Sequence, residues 1–327
     1  MKKHLTNLFL MLSVFVLISA GCAKSQQDSH NNASSKAGNE AIIVQAPLAP
    51  PSIPLISMIG KQNVEVVWYQ KIEEAISRII DDGVDVSIIP VNSMAVLYNK
   101  GVNIQLGAVS TWGILYLVSS DPQINGWQDL KGKTIAVGAM GYSPDLVFRG
   151  LLAKKGLNTG GDVNIIYGTS PEIAQMLIAK KISLAVLPEP LLTSVLSKNK
   201  ETKIIMNLEQ EWVQAFPEAR GLPQAGLAVS KRFIQENPSA WAGFYNNYNE
   251  SLNAYFNNPE TIGAKEEKSL NLPAAVIKKS LERSNLKLQS ARDAKDSVNR
   301  YLVQILSLDP DAVGGKVPDM ESDFYLK

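Results

Sequence analysis

The chain has 327 residues, of which 45% are hydrophobic, and 32 basic against 31 acidic residues give a net charge of +1. This length can bury a large core and favours two lobes. The balanced charge, with no basic stripe among aromatic residues, argues against a nucleic-acid partner. Both histidines and the single cysteine precede residue 41. A domain beginning near Ala41 therefore lacks the side chains of Ser–His–Asp triads, zinc sites and disulfides.

The folded part also contains no GxSxG or HExxH motif. These motifs mark the nucleophile of many hydrolases and the zinc site of many metalloproteases. We therefore expect binding rather than catalysis, with no cofactor and no metal.

Residues 1–21 have the layout of a secretory signal peptide, with a basic start, a short apolar run over residues 5–20 and small residues at its end. The sequence SAGC at residues 19–22 resembles a bacterial lipobox, whose cysteine is lipidated and begins the mature protein. A buried thiol is the alternative, but a cysteine directly after such small residues is rarely part of a core. We expect lipidation at Cys22, for example by palmitate, and anchoring on the extracytoplasmic face of a membrane.

Residues 22–40 contain no large apolar side chain. Such a segment cannot offset its ordering entropy by burial, so we expect a flexible tether. No later stretch is long and uncharged enough to cross a membrane.

From Ala41 onward, short apolar runs alternate with helix-period segments, which indicates βαβ units and parallel sheets. After Lys231 the pattern predicts helices alone, including one from Pro238 whose aromatic stripe is typical of core packing. Further helices are predicted around residues 274–283 and 291–308. The predicted strands are residues 42–45, 64–68, 84–89, 134–137, 164–167, 184–187 and 203–206.

Two longer extended stretches, residues 103–119 and 225–230, separate the groups of βα units. We interpret them as two crossings between lobes. The sequence thus predicts an α/β fold with a discontinuous first lobe, residues 41–111 plus 225–327, and a second lobe of residues 112–224.

In open parallel sheets, ligands bind beyond the carboxyl ends of the strands. In the first lobe, a proline-rich loop follows the first predicted strand and further polar and aromatic residues follow the others. The candidate residues at these strand ends and at the first crossing are Ser52, Tyr69, Asn92, Thr111 and Trp112.

The second lobe contains the same helix-start pattern twice, as GYSPD at residues 141–145 and as GTSPE at residues 168–172. Each predicts a serine N-cap, Ser143 or Ser170, followed by proline and an acid in the first turn. A third helix start is LPEP at residues 187–190. Helix N-termini attract anions and polar ligand edges, but ordinary capping explains the same spacing, so both interpretations stay open.

Glu189 stands between two prolines at a predicted strand exit, where few backbone donors are available. The carboxylate either contacts a ligand in the cleft or is a solvated loop acid. The rings of Tyr69, Trp112 and Tyr142 suit stacking on a flat ligand, and equally suit packing between lobes.

Three segments together resemble the periplasmic solute-binding proteins of the nitrate, sulfonate and taurine type, which are related to thiamine-pyrimidine-binding proteins. They are EEAISRIIDDGVDVSIIPVNSMAVLYNKG at 73–101, DLKGKTIAVG at 129–138 and SPEIAQMLIAKKISLAVLPEPLLTSVL at 170–196. The resemblance implies a type II periplasmic-binding-protein fold with C-terminal helices. It also implies a monomer that closes around a small solute and delivers it to the permease and ATPase of an ABC importer. The implied ligand contacts are Ser52, Tyr69, Asn92, Thr111, Trp112, Tyr142, Ser143 and Glu189.

The cations nearest to the cleft motifs are Arg149 and Arg220, neither of them well placed, and an uncompensated acid at Glu189 would repel an anion. Aromatic residues with one carboxylate favour a heteroaromatic or amine-bearing solute. Two alternatives are a membrane-tethered ligand sensor and an enzyme like the fungal thiamine-pyrimidine synthases, whose histidine and cysteine-rich motif this chain lacks.

Overall fold

The computed structural model describes residues 41–61, 63–138 and 140–327. The predicted signal peptide, lipidation site and tether lie outside these residues. The strands are β1 (Ile42–Pro47), β2 (Val64–Tyr69), β3 (Val86–Pro90), β4 (Ile104–Thr111), β5 (Leu115–Ser119), β6 (Thr134–Gly138), β7 (Asn164–Gly168), β8 (Leu184–Pro188), β9 (Lys203–Asn207), β10 (Ala225–Ser230) and β11 (Leu286–Ser290). The helices are α1 (Ile53–Met58), α2 (Ile72–Ile80), α3 (Val91–Asn99), α4 (Ser143–Lys154), α5 (Ser170–Ile178), α6 (Leu191–Lys198), α7 (Leu208–Ala215), α8 (Lys231–Glu236), α9 (Pro238–Asn257), α10 (Ala264–Leu270), α11 (Ala274–Leu281) and α12 (Ala291–Leu308).

The first sheet, with the helices that pack on it, forms lobe 1. Its strand order is β11-β4-β10-β3-β1-β2, and β10 runs antiparallel to both of its neighbours. Pro47 is in register with Tyr69, and Ala225 with both Pro90 and Thr111. The carboxyl ends of β1 to β4 therefore lie along one edge, which we call the lobe 1 rim.

The second sheet forms lobe 2, with strand order β7-β6-β8-β5-β9. Gly138 is in register with Gly168, and Leu115 with Pro188. The ends of β6, β7, β8 and β9 thus share an edge with the start of β5, which we call the lobe 2 rim.

The two rims adjoin because short crossings connect them. The first crossing, residues 112–114, joins the end of β4 to the start of β5. The second crossing, residues 221–224, leads back into β10. The Gln224 side-chain oxygen accepts a hydrogen bond from the Ile114 backbone amide at 3.2 Å, and the Gln224 backbone amide donates to the Thr111 carbonyl at 2.9 Å. The crossings are therefore bonded to each other between the lobes.

One hydrophobic cluster runs through both lobes and includes Val109 of β4, Leu115 of β5 and Tyr301 of α12. α12 packs on β4 in lobe 1 and on α4 in lobe 2. Separate clusters cover the opposite faces, around Val44 in lobe 1 and Leu187 in lobe 2. The lobes are thus packed against each other on one face of their sheets, and α12 belongs to their interface.

All seven predicted strands are confirmed by the structure, and the two extended stretches correspond to β4 and β5 and to β10. The aromatic stripe of α9 is core, with Phe244, Tyr248 and Tyr255 buried. The expectation of helices alone after Lys231 is wrong, because β11 pairs with β4 at the edge of the first sheet. The sheets are mixed rather than parallel throughout, since the strands that enter and leave the crossings run antiparallel to their neighbours.

Candidate functional site

The structure brings the predicted site residues to the two rims. Their role as ligand contacts stays a prediction, and their surroundings differ. Ser52, Tyr69, Asn92, Thr111 and Trp112 lie at the lobe 1 rim or in the first crossing, and Tyr142, Ser143 and Glu189 lie at the lobe 2 rim.

The proline-rich loop that follows β1 forms a fixed part of the lobe 1 rim. Ser52 is buried and its hydroxyl donates to the Pro47 carbonyl at 2.5 Å. The Tyr248 hydroxyl of α9 donates to the Pro51 carbonyl at 2.5 Å. The prolines also restrict the φ angles of the backbone. The loop is therefore fixed by its own prolines and the Ser52 hydrogen bond, and by the hydrogen bond from Tyr248 of α9.

Tyr69 and Asn92 differ in how fully their polar atoms are satisfied. Tyr69 is buried in the core of lobe 1, where its hydroxyl donates to the Ile88 carbonyl at 2.7 Å and burial raises its pKa. Asn92 donates to the Ala312 carbonyl at 3.2 Å, while its side-chain oxygen is buried without a hydrogen-bond partner among the described residues. Asn92 therefore offers an available acceptor at the rim.

Thr111 ends β4, and Trp112 begins the first crossing. Thr111 is fully buried, and its hydroxyl has no hydrogen-bond partner in the described part of the chain. The Trp112 indole N–H donates to the Lys287 carbonyl at 3.0 Å. A Cβ added at Gly221 would lie 3.0 Å from the Trp112 ring, so this ring fills the space between the crossings.

The N-caps of α4 and α5 lie one residue before the predicted serines, so the prediction of serine caps is wrong. Tyr142 precedes α4, and Thr169 caps α5 by accepting from the Glu172 amide, while the Glu172 carboxylate accepts from the Thr169 amide. Ser143 and Ser170 are the first helical residues. Ser143 is buried beside Tyr301 of α12. Ordinary capping thus explains the α5 start, because Thr169-x-x-Glu172 is a capping box.

Tyr142 reaches across to lobe 1. Its hydroxyl donates to the exposed Glu73 carboxylate at 3.2 Å, and we call this pair the mouth contact. Burial, followed by the Glu73 charge, raises the pKa of Tyr142.

Glu189 is buried, with 1% of its surface exposed, so the solvated-loop alternative is wrong. Its carboxylate accepts from the Thr193 amide at 3.1 Å, the Thr193 hydroxyl at 2.9 Å and Arg283 Nε at 2.5 Å. The Arg283 guanidinium also donates to the Thr193 hydroxyl. Burial raises the pKa of Glu189, and the hydrogen bonds and charge of Arg283 oppose that shift. We call these three residues the deep contact.

Arg283, rather than Arg149 or Arg220, is the cation at this end of the cleft. Arg149 is engaged with Asp145 and Asp309, and Arg220 is exposed. Arg283 compensates the charge of Glu189, so the charge argument for an amine-bearing solute does not hold. Sequence reasoning missed this residue because it lies 94 positions from Glu189, beyond any local motif.

Glu209, at the start of α7, was also missed. Its half-buried carboxylate has no partner among the described residues, and burial raises its pKa. A Cβ added at Gly113 would lie 2.5 Å from Glu209 Cβ, which places Glu209 against the first crossing. Nearby, Tyr116 has its pKa raised to about 12, first by burial and then by the Glu189 charge, with Arg283 opposing.

The described residues contain no group of three or more His, Cys, Asp or Glu side chains that could hold a metal ion. No helix among them has the length and apolar character needed to span a membrane.

Two mixed sheets joined by short crossings, with facing rims, define the fold of the periplasmic binding proteins. An ABC transporter protein from Parabacteroides distasonis is 28% identical, with a TM-score of 0.76 over 88% of this chain and 99% of that chain. The aliphatic sulphonate binding protein SsuA from Escherichia coli is 15% identical, with a TM-score of 0.68 over 85% of this chain and 95% of that chain. A Candida albicans gene product with the generic periplasmic binding protein fold is 13% identical, with a TM-score of 0.56 over 84% and 93%.

The chain belongs to the NMT1-like family, whose profile matches residues 54–261. Comparison with curated proteins gives no match. The expected two-lobed fold and the resemblance to this group of binding proteins are thereby confirmed.

Proposed function

We propose that this protein is an extracytoplasmic receptor that captures a small organic solute between its lobes and delivers it to an ABC importer. The observation that carries the proposal is the pair of adjoining rims, which bring polar and aromatic side chains of both lobes together at the crossings. The similar structures from Parabacteroides distasonis and Escherichia coli, an ABC transporter protein and a sulphonate binding protein, support it. The folded part contains no histidine or cysteine, which favours binding over catalysis.

Capture follows from hinge closure. A solute that contacts both rims binds the closed arrangement more tightly than an open one, and this difference in affinity shifts the population toward closure. The predicted lobes, residues 41–111 plus 225–327 and residues 112–224, move as bodies about the two crossings.

The solute is a small molecule with at least one hydrogen-bond donor. The Asn92 side-chain oxygen and the Thr111 hydroxyl are buried at the lobe 1 rim without hydrogen-bond partners in the described part of the chain, and a buried polar atom is costly unless it is paired. A ligand donor on Asn92 would satisfy the stronger of these two acceptors.

Native mass spectrometry of the chain, purified without denaturation, tests capture by detecting a co-purified small molecule. Calorimetric titration with that molecule then tests the rim. Thr111→Val should weaken binding about 5-fold or more, since a hydrogen bond of roughly 1 kcal/mol or more is lost. Thr202→Val is the matched control, because Thr202 has a buried hydroxyl outside both rims that also lacks a hydrogen-bond partner among the described residues. Equal affinities of the two variants would argue against Thr111 as a contact.

The lipid anchor at Cys22 completes the proposal, since a receptor held at the membrane stays near its permease. Cys22→Ser should abolish fatty-acid labelling and release the protein from the membrane fraction. Acyl labelling that persists in this variant would refute the anchor without affecting solute capture. Stimulation of a reconstituted importer's ATPase by the loaded receptor separates transport from a role as tethered sensor.

A further inference from the structure

Arg283 joins the two lobes at a buried point. It follows α11 in lobe 1, and its guanidinium contacts Glu189 and Thr193, which both belong to lobe 2. The Arg283 side chain is 20% exposed and the Glu189 side chain is 0% exposed. The ion pair thus lies in the interior, where solvent screens it little.

The segment that carries Arg283 also holds the first crossing. The Tyr116 hydroxyl donates to the Arg283 carbonyl at 2.8 Å, and the Trp112 amide donates to the Asn285 carbonyl at 2.8 Å. On the other side, the Glu189 amide donates to the Ile114 carbonyl at 2.9 Å. The segments that carry the two partners of the ion pair are therefore both hydrogen-bonded to the first crossing, through Asn285 and through Glu189.

Rotation of the lobes that separated Arg283 from Glu189 would break the ion pair and its linked hydrogen bonds. Removal of the Arg283 charge would instead leave a buried carboxylate without its cation in the present arrangement, where its desolvation is no longer compensated. The pair therefore favours the arrangement of lobes in this structure over more open ones.

We propose that Arg283 is a positioning residue: by holding Glu189 and Thr193 it sets the equilibrium between this arrangement and more open arrangements of the lobes. The inference rests on the proposed two-lobed receptor and adds the element that regulates its closure. Two further side-chain pairs between lobes, Tyr142 with Glu73 and Arg149 with Asp309, are more exposed and bias this equilibrium less. The bond from Tyr116 ends on the Arg283 carbonyl, so it is kept when the Arg283 side chain is changed.

The equilibrium can be measured without knowing the solute. Spin labels on Glu74→Cys of α2 and Gln175→Cys of α5, both exposed, report the distance across the cleft by double electron–electron resonance. The full chain carries Cys22→Ser so that only these two positions are labelled, and dialysis removes co-purified solute. Arg283→Met should raise the population at longer distances about tenfold or more relative to the parent, because it leaves the Glu189 carboxylate buried without its cation in the present arrangement. Arg283→Lys should restore part of the parental distribution.

Arg232→Met is the matched control. Arg232 pairs with Asp82, Asp85 and Glu236, all within lobe 1, so its loss should leave the distance distribution unchanged. Circular dichroism shows whether each variant is folded. If Arg283→Met does not fold, Arg283→Lys gives the test, because lysine keeps the charge but cannot reproduce the guanidinium geometry.

A folded Arg283→Met, or failing that Arg283→Lys, with the parental distribution would overturn the inference. An equal shift in Arg232→Met would also overturn it, since loss of any arginine pair would then suffice. The proposed function fails separately, if native mass spectrometry finds no solute and the distances of the parent do not respond to one.

Discussion

The deep contact and the mouth contact both join lobe 1 to lobe 2, but they do so in opposite environments. In the deep contact, three residues share an interlinked set of hydrogen bonds around a carboxylate with no exposure. In the mouth contact, one hydroxyl donates to an exposed carboxylate at 3.2 Å. An exposed pair is worth about 0–1 kcal/mol, whereas breaking a buried pair costs about 3–5 kcal/mol. The comparison teaches that burial alone gives the deep contact the larger expected contribution, before its additional hydrogen bonds are counted.

The largest effect is expected from Arg283→Met, which keeps the aliphatic stem and removes the charge. The free energy of unfolding, measured by urea denaturation, should fall by about 3–5 kcal/mol because Glu189 is left buried without its cation. The double variant Arg283→Met/Glu189→Gln should recover part of this loss. A decrease of less than about 1 kcal/mol would show that the deep contact contributes no more than an exposed ion pair, and would contradict the proposed difference between the two contacts.

Thr193→Val should have the next largest effect. Valine keeps the shape of the side chain but removes the hydroxyl that donates to Glu189 and accepts from Arg283. The free energy of unfolding should therefore fall by about 1–3 kcal/mol. Thr202→Val, which removes a hydroxyl without a partner in the described structure, should change stability little. Equal losses in the two variants would show that the Thr193 hydroxyl adds nothing beyond packing.

Glu209 is the intermediate case, since its carboxylate is half-buried and has no partner among the residues that the structure describes. The effect of replacing it should depend on pH. Burial raises its pKa in the folded chain, so its contribution to stability is complete below the unfolded pKa and is lost as pH rises through the folded pKa. Glu209→Gln should therefore be more stable than the parent at pH 7, by less than the effect of Thr193→Val, and this advantage should disappear near pH 4. Thermal unfolding at the two pH values measures it. An equal gain in stability of Glu209→Gln at the two pH values would show that ionisation of Glu209 is not the cause of the gain.

The smallest effect is expected from Tyr142→Phe, which removes only the hydroxyl of the mouth contact. The free energy of unfolding should change by less than about 0.5 kcal/mol, since the pair is exposed and easily replaced by water. Urea denaturation alongside Arg283→Met gives the direct comparison. A loss above about 1 kcal/mol would mean that exposure alone does not separate the two contacts.

The sequence predicted the rims better than their chemistry. Strand ends follow from apolar runs such as residues 184–187, and the rule that ligands bind at carboxyl ends then places Glu189 at a rim. The partner of Glu189 could not be predicted, because the contact with Arg283 depends on how a distant segment folds back. By contrast, β11 and the Thr169 cap left local signals that were overlooked, namely the alternation of Leu286 with Leu288 and the Thr-x-x-Glu spacing.

The position of β10 in the first sheet determines the order in which the two lobes can fold. β3 and β4 do not pair with each other, since β10 lies between them and pairs with both. β10 follows all five strands of lobe 2, whose sheet is complete by residue 207. As the polypeptide emerges from the ribosome or the export channel, lobe 2 can fold first, while the central gap of the first sheet stays open. Lobe 1 is completed last, when β10 and the segments that follow it have emerged and β10 pairs with β3 and β4.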